Sequence, residues 1–302
     1  PLMGWLFGVL VSVCIERFVG LQLTEILGLP KIPVLFGFVV MLKDPVLIPS
    51  AVAYVLLIYV LPLFVLARVS RAVSHQVAEK LLSFSMPLTV LLHLGLLYGT
   101  LHIWSDVSAY RVLSLKLTLI AIMLTLSLNI INGYMGEFSC SHPGFMALGA
   151  YASSVFSVLF FADDKLFGAP LLPPAMGPFL MPLGLIIGGL AAATGALVIA
   201  IPSFRTRGDY LAIISLAFMF IVKSVIENLE IIGGPRGLSG QPDWANLPTV
   251  FLWTIICVWV INNFVRSTVG KALNAVRDDE MAAEAMTVNT RRTKMTAFLF
   301  GD

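Results

Sequence analysis

The stretch LFGAPLLPPAMGPFLMPLGLIIGGLAAATGALVIAIPSF, residues 166–204, holds no acidic, basic or histidine side chain. It is the longest of six uncharged runs; the others are 45–67, 81–105, 117–136, 138–162 and 244–265. Each reaches the ~20 residues that cross a hydrocarbon core. Residues 166–204 are too many for one span. Pro170, Pro173, Pro174, Pro178 and Pro182 crowd the first half, which predicts an irregular entry and a helix over about 180–203.

Two further segments are apolar but carry charge: 4–28 with Glu16 and Arg17, and 210–232 with Lys223 and Glu227. The last two stand four apart, so a helix puts them on one face as a pair. With 58% apolar and 12% charged residues in 302, and a mean hydropathy of +0.94, the chain reads as membrane protein. A spanning segment must satisfy its own backbone polar groups, and these are too long and uniformly apolar for barrel strands. The expected fold is an all-α polytopic helical bundle of about eight transmembrane helices, with a cytoplasmic helix described below.

The formal net charge of +2 is uninformative, but its distribution is not. If 68–80, 205–209 and 266–296 are cytoplasmic they hold 11 Lys and Arg, against 5 in 29–45, 106–111, 163–165 and 233–248. That satisfies the positive-inside rule. Reading the turn near Glu137 as a mid-membrane break swaps the upstream loops and leaves the tally unchanged. The placement of 205–209 and 266–296 holds either way. Cys14, Cys140 and Cys257 lie scattered in apolar segments, with neither disulfide nor metal spacing. His75 sits in a basic loop; His93 and His102 share one span and read as hydrogen-bonded packing, with a proton relay as the alternative. The chain opens at Pro1 and stops at Asp302 as Met295–Phe300 begins another apolar run, which predicts further helices downstream.

The texture changes at 127–154, SLNIINGYMGEFSCSHPGFMALGAYASS. Gly133, Gly136, Gly144 and Gly149 allow close backbone approach, while Asn129, Asn132, Ser139, Ser141 and His142 need hydrogen-bond partners in lipid. Pro143 removes a donor and disfavours helix at His142. Two readings stand: a tight loop with small-residue packing, or a helix interruption lining a path, as in transporters. Residues 203–215 form a basic turn entering a helix, with Asp209 as its N-cap or first-turn acid. Residues 233–243, GGPRGLSGQPD, are turn chemistry throughout.

The conspicuous water-facing element is 270–294, GKALNAVRDDEMAAEAMTVNTRRTK. Arg266 and Lys271 end a membrane helix in the favourable C-terminal position. Asp278 or Asp279 caps a short second helix with Glu280 in its first turn. Met281–Met286 are mostly good helix formers, and Asn289 and Thr290 break the pattern before Arg291, Arg292 and Lys294. The expected product is a short helix across the cytoplasmic face that exposes Ala282, Ala283 and Met286.

Several chemistries are missing. There is no GxxxxGK[ST], since Val265 and Ala272 flank Gly270-Lys271 wrongly, and no HExxH or CxxC. Gly237-Leu238-Ser239-Gly240 imitates the GxSG of rhomboid-type proteases but sits in a Gly/Pro loop. Carboxylates within spans are few (Glu16, Glu227 and Glu137), which weighs against an ion-coupled carrier.

Four stretches, 128–151, 204–216, 233–240 and 267–298, resemble in sequence and order the membrane permeases of branched-chain amino acid ABC importers, of the LivM type. The likeness covers 111–302; residues 1–110 match only in hydropathy, and the whole of 1–302 is expected to be one permease domain. The resemblance implies import of hydrophobic amino acids, with urea or short amides carried by relatives. It implies a bacterial inner-membrane protein paired with a second permease subunit, LivH-like or itself. Cytoplasmic ABC ATPase subunits would lie below, and a periplasmic or extracellular binding protein would deliver substrate. Membrane lipid is the remaining partner, and nucleic acid is none. No cofactor is implied, since ATP belongs to the ATPase, and this chain is then no enzyme.

The resemblance also distributes roles. Within the coupling loop 266–296, Asp278, Asp279, Glu280, Ala283, Glu284, Ala285, Met286, Thr287 and Asn289 would meet the ATPase. Asn129, Asn132, Gly133, Gly136, Ser139, His142, Pro143, Gly144 and Tyr151 would shape the translocation path. Gly233, Gly234, Pro235, Gly237 and Ser239 would face the binding protein. Two departures stand out. Ser139-Cys140-Ser141-His142 replaces the family's Ser-Leu-Gly-His. Thr287 replaces a glycine and predicts a different turn, because threonine takes a positive φ only at a cost. The competing reading is an autonomous secondary transporter or channel; a membrane enzyme ranks third, for want of a catalytic pair.

Overall fold

The computed structural model describes residues 2–30, 32, 45–163, 168–203 and 210–301. The basic turn at 204–209, with the expected cap Asp209, lies outside them. Eight described helices are long and apolar enough to cross a membrane. They are α1 (Leu2–Ile26), α2 (Pro45–Val69), α4 (Met86–Ser105), α5 (Ala109–Met135), α6 (His142–Phe161), α7 (Gly177–Ser203), α8 (Tyr210–Asn228) and α9 (Leu247–Arg266). Helix α3 (Arg71–Phe84) lies between α2 and α4, and α10 (Thr268–Asp278), α11 (Glu280–Ala285) and α12 (Thr290–Gly301) follow α9. The fold class is all-α and polytopic, as the uncharged runs predict.

Three boundaries differ from expectation. The basic loop at 68–80 is largely helix α3, because only Ser85, extended at φ −165° and followed by Met86-Pro87, interrupts the chain. Helix α5 starts at Ala109 instead of 117, so Arg111 and Lys116 are helical. Lys271 does not end α9; the chain breaks at Ser267, whose hydroxyl caps α10 by accepting from the Gly270 N–H. Helix α7 follows a short turn at Pro174–Met176; it starts about three residues earlier than expected and takes in Pro178 and Pro182, while Pro170, Pro173 and Pro174 stay in the irregular entry.

The chain forms two compact units, residues 1–118 and 119–302. In the first, α1 packs against α2 and α4. Its interior holds an ion pair with both side chains 1% exposed: Arg111 Nη1 and Nη2 each lie 2.8 Å from a Glu16 carboxylate oxygen. Tyr54 and Tyr59 donate to the two oxygens of the same carboxylate. Five residues apart, they would diverge on a regular α-helix. A π-helical turn at Leu56–Val60, just before Pro62 withdraws a backbone donor, returns them to one face. Trp104 stacks under the guanidinium at 4.8 Å and donates to Tyr59. A charge so fully paired survives burial; an unpaired one would not.

In the second unit α6 and α7 run together at close range. A Cβ on Gly188 would lie 2.7 Å from the Gly149 carbonyl oxygen, so bare backbone is what lets the helices touch. Phe145, Ala192, Ala196 and Ile199 fill the seam. A second cluster, Ile130, Ile131, Met135, Leu211, Ile261, Leu273, Ala297 and Phe298, joins α5, α8 and α9 to the undersides of α10 and α12.

Candidate functional site

Helix α5 ends in a π-helical turn, Ile130–Met135, closed by Gly136 at φ +76°. No other residue fits there: a Cβ would lie 2.3 Å from Cγ of Arg277, whose stem crosses the glycine. The five residues after it are irregular, and α6 begins at His142 with Ser141 as cap and Pro143 in its first turn. Two helices of membrane-spanning length flank the segment, which interrupts the helical chain as both readings above expect.

Side chains satisfy its backbone. Asn132 Oδ1 accepts from the Ser139 N–H at 3.1 Å, and Ser215 Oγ from the Cys140 N–H at 2.9 Å. The Ser139 and Ser141 hydroxyls share a bond of 2.7 Å. Ser127 donates to the Gly301 carbonyl, so its oxygen accepts from His142 Nε2 at 2.8 Å, and the imidazole carries its proton on Nε2. Ser141 sits at φ −77°, an ordinary right-handed conformation, so this turn needs no glycine where the chain departs from Ser-Leu-Gly-His.

The water-facing island is wired to this loop. Lys294, 14% exposed, places Nζ 2.6 Å from Glu137 and 3.0 Å from Glu280. Burial lowers its pKa, but the bond and charge of Glu137, then of Glu280, outweigh it and hold the ammonium above the ordinary lysine value. Arg277 Nη1 donates to the Gly133 carbonyl at 3.2 Å while its other nitrogens hold Asp278. Glu137 and Glu280 therefore share one cation, one from the α5–α6 loop and one from the first turn of α11.

Helix α11 is capped by Asp279, whose Oδ1 accepts from the N–H groups of Met281 (2.9 Å) and Ala282 (3.0 Å); Asp278 instead closes α10. The exposed apolar residues are Met281 (78%), Ala282, Ala285 and Met286 (77%). Ala283, expected at the surface, is buried, on a helix that packs against both α10 and α12. Glu284 is also engaged, accepting from Thr290 Oγ1 at 2.8 Å. Thr287 corrects a second expectation: it takes φ +66°, the left-handed conformation reserved for glycine. The Val288 N–H bonds the Ala283 carbonyl and the Thr287 N–H that of Glu284, both at 3.0 Å. This pair of bonds is the Schellman closure, so the turn keeps its shape and threonine bears the strain. Ala285 ends the helix and Asn289 caps α12, accepting from the Arg292 N–H at 2.9 Å.

Asn129 folds over Gly133, and Gly144 lets α6 approach Met219 of α8. Beyond α8, the Gly/Pro segment turns through Gly233, Gly234, Gly237 and Gly240, all at positive φ, with Pro235 and Ser239 exposed. Gly237 lies close to the Tyr151 hydroxyl. Trp244 meets Phe161 edge-on at 5.0 Å and fills the notch at Gly177. The Gly/Pro segment and the island thus lie towards opposite ends of α6. Sequence reasoning missed Lys294, Arg277 and Ser215 as partners of the α5–α6 loop; only their polarity beside apolar segments signalled them.

The profile of the branched-chain amino acid transport system permease component matches residues 110–301. The chain belongs to this family. It is 30% identical over 217 residues to the high-affinity branched-chain amino acid transport system permease protein LivM of Escherichia coli (strain K12), covering 60% of this chain and 47% of that protein. The Salmonella typhimurium protein of the same name is 28% identical over the same coverage. The chain spans about half the length of the curated relatives it matches. No solved structure matches. The family match covers the loop, the island and the Gly/Pro turn, and starts one residue before Arg111.

Proposed function

We propose that the protein is the membrane-spanning permease subunit of a binding-protein-dependent ABC importer for branched-chain or other hydrophobic amino acids, in the bacterial inner membrane. Transport is by alternating access, driven by ATP bound and hydrolysed in a separate cytoplasmic subunit. A second permease subunit completes the path, and a binding protein delivers substrate at the Gly/Pro loop. The observation that carries the reading is the double tie of the island to the α5–α6 loop, through Lys294 and Arg277. A push on α11 reaches Glu137 through one ammonium, and from there the ends of α5 and α6. Two exposed methionines on α11 suit a groove on a moving partner, because thioether chains adapt to irregular apolar surfaces.

The test is a mild-detergent pull-down of the full-length protein from native membranes, with mass spectrometry of what stays bound, beside uptake of labelled leucine. Met281→Asp with Met286→Asp is expected to release a Walker-type ATPase and abolish uptake while the protein stays folded in the membrane. Both side chains are solvent-exposed, so the fold does not depend on them. Uptake that persists without any bound ATPase would replace this reading with an autonomous carrier.

A further inference from the structure

Helix α3 has 14 residues, about 21 Å at 1.5 Å per residue, too short for the ~30 Å hydrocarbon core. Its faces are segregated. Ser74 is buried, Val73 and Val77 are exposed beside it, and Arg71, His75 and Glu79 occupy the other side. A short amphipathic helix joining two spans lies in the membrane–water boundary. Where α2 hands over to it, two adjoining cavities of about 440 and 380 Å³ share Arg68 and Arg71. The first is lined also by Val69, Ala72 and His75, the second by Trp5, Phe64, Ala67 and Ser74. Among the described residues no carboxylate lies within 4 Å of either guanidinium, whereas His75 is 3.3 Å from Glu79. The site combines two arginines that have no carboxylate partner among the described residues with an apolar and aromatic wall, beside the junction of a span and an amphipathic helix.

We propose that this recess binds the phosphodiester headgroup of an anionic phospholipid, with Arg68 and Arg71 on the phosphate and Trp5 and Phe64 against the glycerol and upper acyl chains. Guanidinium forks match phosphate oxygens, and a headgroup brings the apolar part that the wall requires. A free phosphate shares the charge but leaves that wall unused. The site lies in the N-terminal unit, outside the family match at 110–301, so it does not depend on the transport reading.

The test uses the full chain in mixed micelles and measures immobilisation of spin-labelled phosphatidylglycerol against spin-labelled phosphatidylcholine by electron paramagnetic resonance. Wild type is expected to retain the anionic lipid several-fold over the zwitterionic one. Arg68→Gln with Arg71→Gln is expected to abolish the preference. Arg68→Lys with Arg71→Lys should keep part of it, and Lys80→Gln, on α3 but outside the cavities, should leave it intact. No preference in wild type, or an undiminished one in the double glutamine variant, overturns the proposal. Displacement of the labelled lipid by millimolar inorganic phosphate at constant ionic strength would reassign the recess to a soluble anion.

Discussion

At the residue scale, Thr287 is where the backbone carries strain. A β-branched residue at φ +66° carries on the order of 1–2 kcal/mol of strain. Thr287→Gly is therefore expected to stabilise the protein, by about 1 kcal/mol once the greater freedom of glycine in the unfolded chain is subtracted. A rise in the detergent unfolding midpoint checks this, and a fall would mean that the threonine is not strained. Lys294 is the complementary case. Its folded pKa is raised, so its contribution is complete below the unfolded lysine value near 10.4 and is lost as pH climbs through the folded one. Island protection in hydrogen exchange should accordingly show no lysine-linked loss through neutral pH and loosen only in strong alkali. Lys294→Met leaves two carboxylates facing each other and should cost about 1–2 kcal/mol, below the fully buried case because Glu280 is partly exposed. The sequence shows a threonine after Ala285-Met286; it does not show which conformation wins, because that depends on the hydrogen bonds closing the turn.

At the element scale, the spans were legible because lipid leaves one solution for a long uncharged segment. Charged boundaries were not. Arg111 reads as a loop residue until Glu16, 95 positions away, neutralises it inside the membrane. Helix α3 reads as a basic loop because its signal is amphipathic rather than apolar. The same limit applies to the α5–α6 loop: its crowd of small and polar residues was visible, but Cys140 finds its acceptor 75 positions away on α8. The α6–α7 seam gives a sharp test of packing. Gly188→Leu drives a side chain into the Gly149 carbonyl, which backbone contact cannot accommodate. Loss of folded, monodisperse protein is expected, whereas Gly189→Leu, with no atom within 4 Å of its Cβ position, should be tolerated.

For the whole molecule, the two units differ in how they hold charge: among the described residues the first buries its ion pair, while the second leaves its cluster partly open to solvent. In residues 1–118 it is the Glu16–Arg111 pair with its two tyrosines. Arg111→Leu strands the carboxylate and should cost about 3–5 kcal/mol, read as lost expression or an earlier melt. Adding Glu16→Leu should recover much of that, since an apolar pair often replaces a buried ionic one without loss. In residues 119–302 the Lys294 ammonium joins two carboxylates, one from the α5–α6 loop and one from α11. Trp244, at the other end of α6, has a different consequence. Its indole is wedged between Phe161 and the notch at Gly177, and it is one of five tryptophans. With the other four replaced by phenylalanine, its emission becomes a single optical gauge of the Gly/Pro turn in the purified protein. A red shift on adding a ligand would report the ring leaving its slot for water, and its time course would clock the opening of that end.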